Sequence, residues 1–306
     1  NPVPARLFSP LEYDPCASNG PVRVSSNQDD RVVSAGRRHS VGLCPDGTVV
    51  ATGHNGAGEC ETTDWRDVVS VSAADVHTFA NTGRSHTVGL RRDGRVVATG
   101  WNSHGQCNVE SWRGVVAVAT GWRFTLGVHH DGTVLAAGRA DEGQLEVHRW
   151  REVTNVACGD WHCLGLTSSG TVLATGVNRA GQLQVDHWSD VVAISAGYQH
   201  SLGLNSAGQV FFAGRSSAGQ GDVVGWRDII AVSAGSHHSV ALTSDGRVLS
   251  AGSNSHGQCE TSRWVDVVAV AAGSLHTVAV RADGSVLAAG CDGDGQCRVE
   301  GWRLSR

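Results

Sequence analysis

The chain has 306 residues, 24 of them basic and 29 acidic, for a formal net charge of -5, and every basic residue is an arginine. That balance argues against bulk nucleic-acid binding, which calls for a strongly basic domain, and no apolar run approaches the roughly 20 residues of a membrane-spanning helix. With 40 glycines, 6 prolines and no low-complexity tract, the composition fits a chain dense in tight turns rather than a collagen-like or disordered one.

Residues 1–26 carry Pro2, Pro4, Pro10, Pro15 and Pro21 and are predicted to form a Pro-rich extended arm. Within it, residues 21–25 could add an edge strand to whatever follows. The lack of an initiator methionine implies processing or excision from a longer protein, with any signal peptide out of view. The absence of lysine and methionine, with three isoleucines, points to high-GC coding and a bacterial, actinobacterial source.

From residue 27 to 306 one unit is copied seven times. Trp112, Trp150, Trp188, Trp226, Trp264 and Trp302 recur at 38-residue intervals, and Trp65 lies 47 residues before Trp112. His39, His86, His162, His200, His238 and His276 form a second column, each three residues after a glycine, with Phe124 in the third slot. The units run 31–65, 66–112, 113–150, 151–188, 189–226, 227–264 and 265–302. Such a period belongs to architectures in which one unit cannot bury its own apolar face and neighbours cover it. The nine extra residues of the second unit, around 75–83, are predicted to loop out at a turn.

The seventh unit reads most clearly. Residues 267–273, 276–280 and 285–290 are β-rich runs, Asp283-Gly284 is a hairpin turn, and 295–299 closes the unit. Asp46-Gly47, Asp93-Gly94, Asp131-Gly132 and Asp245-Gly246 repeat the turn, because a tight hairpin needs positive φ. Ser169 and Ala207 displace the aspartate in units 4 and 5. Four antiparallel strands per unit, A to D, predict an all-β, seven-bladed β-propeller, a ring that hides most strand edges. Closure is expected over an open solenoid because the copies stop at seven without polar capping repeats.

The pattern G-x-x-H-[ST], a D-G turn and G-x-x-x-x-G-Q resembles the regulator-of-chromosome-condensation repeat family. Gly235, His238, Ser239, Asp245, Gly246, Gly252, Gly257 and Gln258 carry it, with counterparts across residues 31–302. The short unit looks like that of bacterial members, among them a propeller-type β-lactamase inhibitor protein. The resemblance implies a seven-bladed propeller used for protein recognition, with uses among members from nucleotide exchange on a Ran-type GTPase to enzyme inhibition. Fold alone does not choose between them. Glu59 replaces the Gly-Gln glutamine in unit 1. The column histidines are expected to be structural, satisfied by backbone groups at the A–B turn.

In a four-stranded meander the A–B turns and C–D loops share one face. The variable pairs before the histidine column are Arg37-Arg38, Arg84-Ser85, Trp122-Arg123, Asp160-Trp161, Tyr198-Gln199, Ser236-His237 and Ser274-Leu275. Four arginines, two tryptophans and a tyrosine are residue types enriched at protein-interface hot spots. Trp101, Trp122 and Trp161 break the repeat, and all three fall on this face. The candidate binding residues are therefore Arg37, Arg38, Arg84, Trp101, Trp122, Arg123, Asp160, Trp161, Tyr198, Gln199 and His237. The partner expected is a protein with an acidic patch, bound by a monomer. A sugar-binding propeller is the alternative, although propeller lectins usually repeat their binding residues blade after blade.

An enzyme with its active site on the same face is the third reading, but no G-x-S-x-G elbow, H-E-x-x-H helix, P-loop or calcium loop is present. His104-x-x-Cys107 and His256-x-x-Cys259 lie in units 2 and 6 and are not expected to converge on a metal, and no cofactor is expected. Among nine cysteines, Cys60, Cys107, Cys259 and Cys297 share one column, too far apart to bond one another. Cys291 with Cys297, or Cys158 with Cys163, could form local bridges. Free thiols favour a reducing, cytoplasmic compartment over secretion.

Overall fold

The structure, a computed structural model, describes residues 31–74 and 83–304. The proline-rich arm, its 21–25 segment and the insertion up to residue 82 lie outside the described residues.

Runs rich in β-branched residues, punctuated by glycine, give three strands per unit. The first blade is β1 (Val33–Ala35), β2 (His39–Leu43) and β3 (Val49–Gly53), and the second is β4 (Val68–Ala73), β5 (His86–Arg91) and β6 (Val96–Gly100). The third is β7 (Val115–Gly121), β8 (Phe124–His129) and β9 (Val134–Gly138), and the fourth is β10 (Val153–Cys158), β11 (His162–Thr167) and β12 (Val172–Gly176). The fifth comprises β13 (Val191–Ala196), β14 (His200–Asn205) and β15 (Val210–Gly214), and the sixth β16 (Ile229–Ala234), β17 (His238–Thr243) and β18 (Val248–Gly252). The seventh is β19 (Val267–Ala272), β20 (His276–Arg281) and β21 (Val286–Gly290). Each sheet is an antiparallel meander in sequence order. The first strands stand side by side about an axis, β1 beside β4 and so on to β19, which returns to β1.

Three strands per blade, rather than the expected four, are hydrogen-bonded into each sheet. The segment meant as strand D folds on itself: in the second blade Asn108 N bonds Gly105 O, Val109 N bonds Cys107 O and Trp112 N bonds Val109 O. These local bonds use up the groups a fourth ladder would need. The buried glutamine column fixes the turn. Gln106 Oε1 accepts from His104 N at 3.0 Å, and Gln144, Gln182, Gln220, Gln258 and Gln296 do likewise in their own blades. Where Glu59 replaces glutamine, one carboxylate oxygen takes Ala57 N and the other meets His54 Nδ1 at 2.7 Å. A buried carboxylate is costly unless paired, and this one is.

The tryptophan column packs blade against blade. The Trp188 ring lies on Gly203 of the following blade, where an added Cβ would stand 2.6 Å from the indole. Trp65, Trp112 and Trp150 lie likewise on Gly89, Gly127 and Gly165, while Trp226 and Trp264 share core clusters with Ala241 and Ala279. The seventh blade closes the ring onto the first: Trp302 and Leu304 cover Gly42, and Thr52 Oγ1 donates to Gly295 O at 3.0 Å.

The column histidines bond through Nε2 to the next blade's side chains, a correction to the expected backbone partners. His39 Nε2 meets Thr87 Oγ1 at 2.9 Å, His86 meets Thr125, His162 meets Ser201, His200 meets Ser239, His238 meets Thr277 and His276 meets Ser40. Each of those hydroxyls donates its hydrogen to a carbonyl of the glutamine column or to Glu59 O. It must then accept from the imidazole, which fixes the Nε2–H tautomer. Burial pushes these imidazoles down to about 4 (His39, His162, His238) or about 3 (His86, His200, His276), so the rings are neutral. The third blade has Phe124 in this column, and the relay is interrupted there.

Candidate interaction surface

Backbone bonds sort the loops into two faces. The first residue of each C–D loop donates to the preceding A–B turn: His54 N to Arg38 O, Trp101 N to Ser85 O, Arg139 N to Arg123 O, Val177 N to Trp161 O and Arg215 N to Gln199 O. The hairpin turns bind instead to the inter-blade links, as in Val68 N to Gly47 O. The turn and loop families thus sit on opposite rims, as the meander requires.

On the A–B face four consecutive turns form a ladder of rings. Trp122 and Trp161 are 5.7 Å apart between ring centroids, Trp161 and Tyr198 5.6 Å, and Tyr198 and His237 5.6 Å, all edge to face. Edge-to-face geometry aligns the positive ring edge with the negative face of its neighbour. Trp122 is itself buried, against Ala74, while Trp161, Tyr198 and His237 are half-buried. The Trp122-Arg123 turn is tight because β7 and β8 pair up to Gly121 and Phe124, and Arg123 takes a left-handed φ of 67°.

That conformation lays the Arg123 guanidinium over two indoles, 4.6 Å from Trp101 and 4.2 Å from Trp122. Arg139 covers Trp122 at 4.7 Å. Arg139 is held by Asp141 and Glu142, whereas Arg123 is tied to its place by the rings. Burial, then the Arg139 charge, lowers the Arg123 pKa from its ordinary value. Burial, then Asp160, raises that of Tyr198, and burial, then Arg215, lowers that of His237. Among the described residues Arg84 and Arg123 stand on this face without an ion-pair partner, while the charge of Arg139 is met by Asp141 and Glu142.

Of the other sequence candidates, Arg38 pairs with Asp294 at 3.5 Å across the seam between blades 7 and 1. Arg37 is buried and, with Arg38, lies close to Gly83; Arg84 is exposed beside it. Asp160 is buried beneath the ladder, and Gln199 Oε1 accepts from Arg215 at 2.9 Å. Arg139, Arg215 and His104 belong to the site and were not among the sequence candidates. Their signal was the first slot of the C–D loop, the column of Trp101, for Arg139 and Arg215, and the Trp101 ring, 5.4 Å from His104, for the third.

Among the described residues no group of three or more histidine, cysteine or acidic side chains is placed to hold a metal. His104 turns to Ser103 Oγ, and Cys107 Sγ donates to Trp101 O. Cys291 and Cys297 are unbridged, with Cys297 Sγ donating to Cys291 O at 3.3 Å.

A closed ring of seven meander blades, with one rim built of variable aromatic and arginine turns, is a seven-bladed β-propeller. The regulator of chromosome condensation (RCC1) repeat matches residues 31–59, 68–106, 153–182, 191–220, 229–258 and 267–296, and the chain belongs to that repeat family. The matched segments pass over the blade that holds Phe124. Among solved structures, yeast RCC1 (Prp20) bound to Kap60 is similar at 16% identity and a TM-score of 0.65, over 98% of this chain and 89% of that one. Prp20p from Saccharomyces cerevisiae, described with its binding to Gsp1p and histones, gives 16%, 0.63, 90% and 86%. The ectodomain of the Physcomitrella patens receptor kinase CR4 gives 16%, 0.69, 85% and 73%. At such identities the likeness shows the fold alone. A comparison with curated protein sequences finds no match.

Proposed function

We propose that the chain, as a monomer, is a protein-recognition module that binds one protein partner through the A–B/C–D face. The observation that carries this reading is the continuous ladder Trp122, Trp161, Tyr198 and His237, flanked by Arg123 seated between Trp101 and Trp122. Rigid aromatic anchors beside an arginine are the composition of an interface hot spot. Yeast RCC1 (Prp20), one of the neighbours named above, binds Kap60, Gsp1p and histones, which supports the class of function. Arginines on three consecutive A–B turns, Arg37, Arg38, Arg84 and Arg123, favour a partner that presents an acidic patch to blades 1 to 3. A rigid rim that covers a partner's surface acts by inhibiting or regulating it. The non-repeating, edge-to-face rings disfavour a sugar-stacking platform, which would present open ring faces.

The test is affinity capture from the source organism with three baits: the unaltered chain, Trp161→Ala and Asp283→Ala, the last altered on the opposite face. A protein retained by the first and third baits and lost from the second is the expected result. Equal capture by all three, or loss only from Asp283→Ala, overturns the reading.

A further inference from the structure

Internal comparison of the seven blades isolates one pair of side chains. The last residue of the first strand, or in the third blade the last but one, faces the second residue of the next: Ala35 opposite Ser40, Ala73 opposite Thr87, Thr120 opposite Thr125, Ala196 opposite Ser201, Ala234 opposite Ser239 and Ala272 opposite Thr277. In the fourth blade both positions are cysteine, Cys158 opposite Cys163. Their sulfurs lie 3.7 Å apart, with Cys163 donating to Cys158. The bond from Gly159 N to His162 O makes the adjoining Cys158–Cys163 pair the non-hydrogen-bonded kind, where facing side chains come closest. Pairs of that kind have Cα atoms about 4.5 Å apart, within the span a disulfide bridges without moving the backbone.

The two thiols also differ in access. Cys158 is half-buried and lines the axial cavity with Ser195 and Ser233, whereas Cys163 is fully buried behind it. The column thiols Cys60, Cys107, Cys259 and Cys297 instead each donate to a backbone carbonyl.

We propose that Cys158 and Cys163 form a built dithiol site, oxidised by a small hydroperoxide entering the axial cavity to a disulfide that staples the turn carrying Asp160 and Trp161. In the first step Cys158 Sγ attacks the terminal peroxide oxygen: the S–O bond forms, the O–O bond breaks, and the other oxygen takes the thiol proton and leaves as water from hydrogen peroxide or as the alcohol from an organic hydroperoxide. In the second step Cys163 Sγ attacks Cys158 Sγ: the S–S bond forms, the S–O bond breaks, and the hydroxyl leaves as water with the Cys163 proton. Two electrons pass from the sulfur pair to the peroxide. Burial pushes the Cys163 thiol well above its ordinary range, consistent with its acting second. The site goes beyond the recognition role and does not depend on it.

The experiment treats the folded, reduced protein with hydrogen peroxide and follows intact mass and non-reducing peptide maps. The expected result is loss of two hydrogens, a crosslink joining Cys158 to Cys163, and reversal by dithiothreitol. Cys158→Ala and Cys163→Ser restore the residues of the other blades, so both variants should fold by circular dichroism and neither should form the crosslink. Trapping with a sulfenic-acid reagent should label Cys158 in Cys163→Ser and leave Cys163 unlabelled in Cys158→Ala. A bridge to another cysteine, over-oxidation of Cys158 with Cys163 still a thiol, or no reaction at peroxide levels that oxidise a free-cysteine control peptide would overturn the proposal.

Discussion

Phe124 and Cys163, 39 positions apart in the chain, are the one ring-and-partner pair in which neither member can make the hydrogen bond that joins the other blades. Elsewhere that spacing links an imidazole to a hydroxyl, as His162 to Ser201; here both side chains are fully buried in one apolar cluster. Each change makes the other tolerable. Phe124→His alone should place a donor against a thiol and cost about 1–3 kcal/mol. Phe124→His with Cys163→Ser should recover much of that, with a coupling of roughly 0.5–3 kcal/mol in a denaturant double-mutant cycle. Strict additivity would show that the pair is not coupled.

The six neutral histidines set the acid limit of the fold. In the unfolded chain an imidazole protonates near pH 6.5, about its ordinary value; in the ring it does so only near 3 or 4, because burial disfavours the cation. Between those values the unfolded state binds more protons, so stability is full above the unfolded value and falls as pH drops through it. Each histidine adds a slope of about 1.4 kcal/mol per pH unit. Urea midpoints should therefore fall steeply from pH 6 towards 4. Copying the third junction elsewhere, as His162→Phe with Ser201→Cys, should remove about one proton from that slope. Stability independent of pH over this window would contradict the neutral assignment.

Trp188 is buried between blades and stacks on Phe211 at 5.7 Å. Replacement by alanine leaves a cavity over Gly203 and should cost on the order of 3–5 kcal/mol. An unchanged denaturant midpoint would show that the column does not hold the blades together.

The column thiols should be inert. Burial pushes Cys60, Cys107 and Cys297 up to about 12 and raises Cys259, so near pH 8 only about one in ten thousand of the first three is thiolate, the reactive form. A chromogenic disulfide reagent should label them rapidly only after unfolding. Fast labelling of the native protein, or a bridge between any two of them, would place these sulfurs elsewhere.

With a partner in hand, calorimetry on Trp161→Ala should show a loss of about 2 kcal/mol or more, with Asp283→Ala unchanged. Arg123→Ala should weaken binding and reduce its dependence on salt, since rim charges act through screened attraction. Full affinity in the Trp161 and Arg123 variants, with a loss in Asp283→Ala, would put the interface on the other rim.

The ring was legible because its signals are columns: tryptophan, histidine and Asp-Gly return at a fixed step, and a residue that returns in every blade is a packing residue. The three-strand blade was not, because Gly-Gln-x-x-Val reads equally as a short strand or as turns, and the decision rests on a buried Gln106 side chain bonding its own loop. Partners across blades, such as His39 with Thr87, were hidden too: the sequence places both in columns without saying that the columns meet. At the site the A–B residues stood out as departures from the repeat. Arg139 did not, since its place over Trp122 depends on the loop crossing the turn.

The meeting of histidine and hydroxyl below the rim separates two tasks within each unit. The joints that recur from blade to blade are the histidine–hydroxyl bonds and the tryptophan column, while the two residues ahead of the histidine differ at every turn. The protein can thus be rewritten on top without being rebuilt underneath. Exchanging Ser236-His237 for Asp160-Trp161 is an edit to one tile of a mosaic whose grout is elsewhere, and such a molecule can drift towards new partners by small steps while its frame stays the same.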